Sequence, residues 1–155
     1  MTEEQFTNAA AEHLDMVYRI ALNWFRNAAD AEDIAQTVML RLWQSDRDFG
    51  EAAYLRHWLV RVTLNACKDL SRTPWRRHTV SLEACREAAF SSPEGGMLFR
   101  EVMALPAKYR LPLYLYYYEG YSVKEVGELL GLNPSTVQTR LARARDRLRQ
   151  SLEEV

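Results

Sequence analysis

"YSVKEVGELLGLNPSTVQTRLARARDRL" occupies residues 121–148, and its punctuation predicts two short helices around a tight turn. Ser122 with Glu125 three residues on forms a capping box at a helix start. Val126, Leu129 and Leu130 then line one face, and Gly127, having no Cβ, lets a neighbouring helix approach closely. Gly131 stands where a left-handed residue closes a helix. Asn133 caps the next helix, and Pro134 fits its first turn, where the missing N–H is no loss. Val137, Leu141, Ala144 and Leu148 give that second helix a dry face. Its remaining surface carries Ser135, Thr136, Gln138 and Thr139 near the N-terminus, then Arg140, Arg143, Arg145 and Arg147. Two short capped helices with a Gly turn are a helix–turn–helix. Hydroxyls and an amide suit base edges in a major groove, and guanidinium groups suit phosphates. A helical hairpin with merely solvated arginines stays open as the bland alternative.

Outward from this motif the chain reads as helix almost throughout, an all-α pattern in two small domains joined by a flexible linker. Leu14, Val17, Tyr18, Ala21, Leu22 and Phe25 recur at helical spacing. Asp30, three residues before Asp33, puts acid at a helix start. Ile34, Ala35, Val38, Leu42 and Trp43 continue that helix until "SDRDFGE" (45–51) breaks it. Tyr54, Leu55, Trp58, Leu59, Val62, Leu64 and Ala66 mark a third, stopped before Pro74. Residues 1–73 form the expected first domain and 74–92, with fading periodicity, the linker. Residues 93–155 form the second domain, beginning with Ser92 as cap and Pro93 as first helical residue. There Met97, Leu98, Val102 and Leu105 make an apolar face and Pro106 ends the helix. Pro112 places the next helix start near Arg110. Tyr116, Tyr117, Tyr118 and Tyr121 are expected as core or half-buried packing.

With 155 residues and 48% apolar content the chain folds, and its net charge of −1 conceals a strong segregation. Met1 to Ala53 carries ten acids and four bases, net −6. Tyr54 to His78 is net +5, through Arg56, Arg61, Lys68, Arg72, Arg76 and Arg77 against Asp69. Ser135 to Arg149 is net +4. Two separated basic blocks point to a polyanion held at two places. Cys67 and Cys85 have no metal spacing and suit a reducing compartment. No signal segment or membrane span is read, so the expected location is the cytoplasm, with no membrane insertion. No metal cluster, phosphate-cradling glycine loop or nucleophile–base pair is present, which argues against an enzyme and against any cofactor.

Three segments resemble the extracytoplasmic-function group of bacterial RNA polymerase sigma factors, of the sigma-70 family. "VYRIALNWFRNAADAEDIAQTVMLRLWQ" resembles its core-binding region and "YLRHWLVRVTLNACKDLSR" its promoter-melting and −10 region. "LPAKYRLPLYLYYYEGYSVKEVGELLGLNPSTVQTRLARARDRL" resembles its −35-binding domain. The resemblance implies a transcription initiation factor that gives core polymerase its promoter choice. By it, Asp33, Gln36, Leu40 and Trp43 grip the β′ coiled coil. Phe49, Tyr54, Arg56, Trp58, Arg61, Asn65, Lys68 and Arg72 open and hold the −10 element. Ser135, Thr136, Gln138, Thr139, Arg140, Arg143, Arg145 and Arg147 bind the −35 element. Further implied partners are the β flap, promoter DNA and an anti-sigma factor. Ile34, Val38 and Leu42 read as ordinary core, and a tryptophan at the Trp58 position is more often core than not. Thr37, Thr63, Leu64 and Gln138 depart from the family's commoner residues, which bears on the −35 sequence read and leaves the DNA-binding role intact. A stand-alone helix–turn–helix regulator and a degenerate sigma-like interaction module are the rival readings.

Overall fold

A computed structural model describes residues 1–73 and 93–153. The chain divides into two compact units, Met1–Cys85 and Arg86–Val155. The expected linker, residues 74–92, lies outside the described residues, as do Ser92, Arg76, Arg77 and Cys85.

The first unit holds three helices, α1 (Glu3–Phe25), α2 (Ala28–Gln44) and α3 (Ala52–Ser71). Thr2 starts α1 with a capping box: its hydroxyl accepts from Gln5 N at 3.1 Å, and Gln5 Oε1 accepts from Thr2 N at 2.9 Å. Arg26 closes α1 in the left-handed region (φ 57°), and Asn27 Oδ1 caps α2 through Asp30 N at 3.1 Å. With so short a connection α2 must fold back along α1. Val17, Ile20, Ala21, Val38, Leu42, Leu59 and Val60 are wholly buried between the three helices. Leu14, expected on the apolar face of α1, is exposed instead. Thr63 is also buried; its hydroxyl donates back to Leu59 O at 2.6 Å, so the polar group is satisfied inside the helix. Trp24 Nε1 donates to Ser71 Oγ at 2.8 Å and ties the end of α1 to that of α3.

The second unit holds α4 (Pro93–Ala104), α5 (Ala107–Leu113), a π-helical turn (Tyr114–Tyr118), α6 (Val123–Leu130) and α7 (Pro134–Glu153). Around α4, Phe99, Met103 and Leu105 are buried and Val102 is half-buried; Leu105 is inside as expected, Phe99 and Met103 join it, and the side chains of Met97 and Leu98 lie outside the described residues. Helix α5 starts at Ala107, directly after Pro106, and not near Arg110. Pro106 O accepts from Tyr109 N and Arg110 N at 2.9 and 3.0 Å, and this begins the helix early enough to put Pro112 inside it. Proline there leaves the Lys108 carbonyl without its usual donor. The winding then widens: Glu119 N reaches back five residues to Tyr114 O, and Tyr121 N six residues to Leu115 O, both at 3.1 Å. Arg110 is almost fully buried and donates to Leu105 O at 2.6 Å and Met103 O at 3.4 Å. Its guanidinium thereby supplies donors to the carbonyl end of α4. Of the tyrosines expected inside, Tyr121 is buried and Tyr116 half-buried, but Tyr117 and Tyr118 are exposed. The wide π turn rotates those two rings outward.

Candidate nucleic-acid interface

The α6–turn–α7 geometry follows its residues closely. Ser122 Oγ accepts from Glu125 N at 3.1 Å, and Glu125 Oε1 accepts from Ser122 N at 3.0 Å. Gly131 closes α6 at φ 71°, its N–H donating to Gly127 O. Leu132 N donates to the same carbonyl at 2.8 Å. The turn therefore lies tight against Gly127, where a Cβ would stand 2.5 Å from Leu132 O. The close neighbour that requires this glycine is the turn backbone rather than a second helix. Val126, Leu129, Val137, Leu141 and Ala144 are buried and fix α7 to α6 and the rest of the unit.

Burial of that face leaves the rest of α7 outside. Ser135, Gln138, Thr139, Arg143, Arg145 and Arg147 are exposed, and Thr136 and Arg140 are half-buried. At 100° per residue, Ser135, Gln138 and Thr139 crown the side opposite the core. Thr136, Arg140, Arg143 and Arg147 take one flank and Arg145 the other. Thr139 Oγ1 donates to Ser135 O at 3.0 Å, which leaves the hydroxyl oxygen as an outward acceptor. Arg145 Nη1 donates to Tyr117 OH at 2.7 Å, and Arg147 lies over the Tyr109 ring at 4.8 Å.

On α3, Tyr54, Trp58, Arg61, Asn65, Lys68 and Arg72 step by four and three residues and so fall on one line. Tyr54, Arg61, Asn65 and Arg72 are exposed; Trp58 and Lys68 are half-buried. Phe49 joins from the preceding loop, its ring 5.7 Å from Tyr54 and 5.0 Å from Trp58. Arg47, absent from the sequence-based set, donates to Tyr54 OH at 3.1 Å. The result is an aromatic cluster at one end of a cationic line. Arg56 does not join it: the helical repeat puts it on the opposite side of α3, where its charge is felt by buried His13.

On α2, Asp33, Gln36, Leu40 and Trp43 form an outward ridge, with Asp33 half-buried and the others exposed. Ile34, Val38 and Leu42 are core, as their reading has it. A groove runs along each side of the ridge. Phe6, Thr7, Met39, Leu40 and Trp43 line one, of about 690 Å³, and Phe6 meets Trp43 edge-on at 5.3 Å. Asp33, Thr37, Arg41 and Asp69 line the other. Phe6 escaped the sequence reading, although Thr2 and Gln5 signal a helix that begins early enough to carry it. Among the described residues no cluster of three His, Cys, Asp or Glu could hold a metal ion, and no helix is long and apolar enough to cross a membrane. Burial pushes the Cys67 thiol far up, which keeps it protonated and inert.

Taken together, the folded faces define a two-module helical protein with a helix–turn–helix in its second module. The family model for Sigma-70 region 2 matches residues 9–77, and that for Sigma-70, region 4 matches residues 96–148. The chain is 32% identical over 155 residues to the ECF RNA polymerase sigma factor SigE of Mycolicibacterium smegmatis, with 91% of this chain covered but only 59% of that protein. It is 32% identical over 153 residues to the ECF RNA polymerase sigma factor SigL of Mycobacterium tuberculosis, covering 93% of this chain and 86% of the relative. The sigma factor RpoE of Bartonella quintana, solved in complex with the anti-sigma factor NepR, shares the fold at a TM-score of 0.68 and 19% identity, covering 97% of this chain and 98% of that one. This chain belongs to the extracytoplasmic-function group of the sigma-70 family.

Proposed function

We propose that the protein directs core RNA polymerase to a set of promoters and helps open them at the −10 element. The observation that carries this is the outward presentation of Ser135, Gln138 and Thr139 at the leading end of α7, flanked by arginines. Such a helix end enters a major groove, and its arginines contact phosphates on either side. The α2 ridge of Asp33, Gln36, Leu40 and Trp43 holds the β′ coiled coil, an exposed apolar and acidic surface meeting a basic partner. On α3 the Phe49, Tyr54 and Trp58 cluster receives an unstacked base, and Arg61, Asn65, Lys68 and Arg72 follow the opened strand. Stacking on such a ring contributes about 1–3 kcal/mol per base. Arg56 would act there only through the fold. The β flap, promoter DNA and an anti-sigma factor are the remaining partners, and the cytoplasm is the place of action. The NepR complex of RpoE supports an anti-sigma partner by likeness of fold.

Run-off transcription with purified core polymerase tests the reading. Promoter-specific transcripts are expected only when both components are present. Trp43→Ala should weaken binding to core by roughly 30-fold, as loss of a central aromatic anchor does. Arg140→Ala with Arg143→Ala should cut promoter binding and reduce its salt slope by about two. Tight, specific duplex binding by the isolated chain, with no effect of core, would instead support a stand-alone regulator.

A further inference from the structure

Tyr109, the third residue of α5, gathers cations from two helices. Its ring is 4% exposed. Lys108 Nζ lies 5.1 Å from the ring centroid and the Arg147 guanidinium carbon 4.8 Å. Arg143, one turn before Arg147 on α7, faces the hydroxyl and holds the phenol below its ordinary pKa; Lys108 and Arg147 add to this through their charges. Among the described residues none of these three cations is paired with a carboxylate, whereas Arg149 meets Asp146 at 3.8 Å and Arg41 meets Asp69 at 3.9 Å. Three like charges around one ring repel one another, and the ring face and phenol oxygen offset only part of that. An anion in their midst removes the repulsion. A phosphodiester suits them well, because guanidinium forks match its paired oxygens and an ammonium adds a point charge. Arg143 and Arg147 occupy the flank of α7 next to the Thr139 crown, where a strand bordering the groove would run.

We propose that Lys108, Arg143 and Arg147 form a single seat for one backbone phosphate beside α7, and that Tyr109 is its positioning residue. This rests on α7 docking against duplex DNA. Lys108 is the new contact, brought from outside the helix–turn–helix.

The test is anisotropy titration of a random-sequence 20-bp duplex with the full chain between 50 and 200 mM NaCl. Lys108→Ala should lower the slope of log K against log salt by about one, so that its deficit relative to wild type shrinks by about three- to fourfold across that range. Lys108→Arg should restore the slope. Tyr109→Phe keeps the ring, loses the oxygen, and should weaken binding about three- to tenfold with an unchanged melting temperature. Arg100→Ala, exposed on α4, serves as control and should leave the slope as in wild type. A Lys108→Ala protein with wild-type slope and affinity overturns the seat while leaving the docking of α7 intact. Equal losses for Arg100→Ala overturn it as well, since any surface charge would then suffice. A wild-type chain whose duplex binding ignores salt sinks the docking of α7 itself.

Discussion

His13 is buried on α1, and desolvation lowers its pKa below the ordinary 6.5. Glu12 beside it works the other way, and Arg56, reaching it from α3, reinforces the lowering. The folded protein thus keeps the imidazole neutral where the unfolded chain would take up a proton. Stability from this group is fully present above pH 6.5 and is lost progressively as pH falls from there through the lower folded-state pKa, because over that range the unfolded state binds the extra proton. Thermal melts at pH 7.5 and 5.5 should show a drop for wild type that is smaller in His13→Gln, which cannot titrate. Parallel drops in the two proteins would refute the assignment. The sequence did not reveal this: His13 and His57 look alike until packing buries His13 and leaves His57 half-buried. Thr63 is similar, an unusual residue in the pattern whose hydroxyl is simply returned to its own helix.

At the level of the element, the two glycines of the helix–turn–helix act for different reasons. Gly127 is a matter of space. Alanine gains about 1 kcal/mol in helix propensity there, but its Cβ would meet a backbone carbonyl at 2.5 Å. That carbonyl cannot swing aside without disturbing the bond from Leu132 N to Gly127 O. Overpacking of this kind costs about 1–3 kcal/mol, so the clash should win and Gly127→Ala should destabilise the second unit. For a unit this size each kcal/mol lowers the melting temperature by about 4–8 °C. Gly131 is a matter of φ: nothing lies within 4 Å of its would-be Cβ, and Gly131→Asn, which tolerates the left-handed region, should melt closer to wild type than Gly127→Ala. The reverse order in calorimetry would overturn both explanations. These local signals were legible because caps and turns involve residues three or four apart. Pro112 misled for a physical reason: the helix start that accommodates it is set by Pro106, and the winding after it widens into a π turn. The Tyr109 cluster and the Phe6–Trp43 contact were invisible in the same way, since each joins helices distant in sequence.

Across the whole molecule, the segregation of charge already announced a division of labour, an acidic leading stretch and two basic blocks in separate units. The all-α class and the outward hydroxyl, amide and arginine side chains of α7 followed from periodicity, because a dry face once identified fixes what remains outside. Position on α3 is finer, and the same helical arithmetic, applied strictly, would have removed Arg56 from the line. The two units matter together through covalent connection. On the proposed function, a unit bound at one promoter element would present its partner to the next at an effective concentration near millimolar for a short tether, which would multiply affinity by about 10²–10⁴ with no new contact. A protease site inserted between residues 74 and 92 tests this directly. Before cleavage, promoter-specific run-off transcription with core polymerase should match wild type. After cleavage both units are still present at the same concentration, and transcription should fall by at least about 100-fold at dilute protein. It should recover in part as the concentration of the cut protein is raised, since mass action then replaces the tether. Full activity after complete cutting would mean that one unit alone supplies promoter choice, and the cooperation of two weak anchors would be wrong.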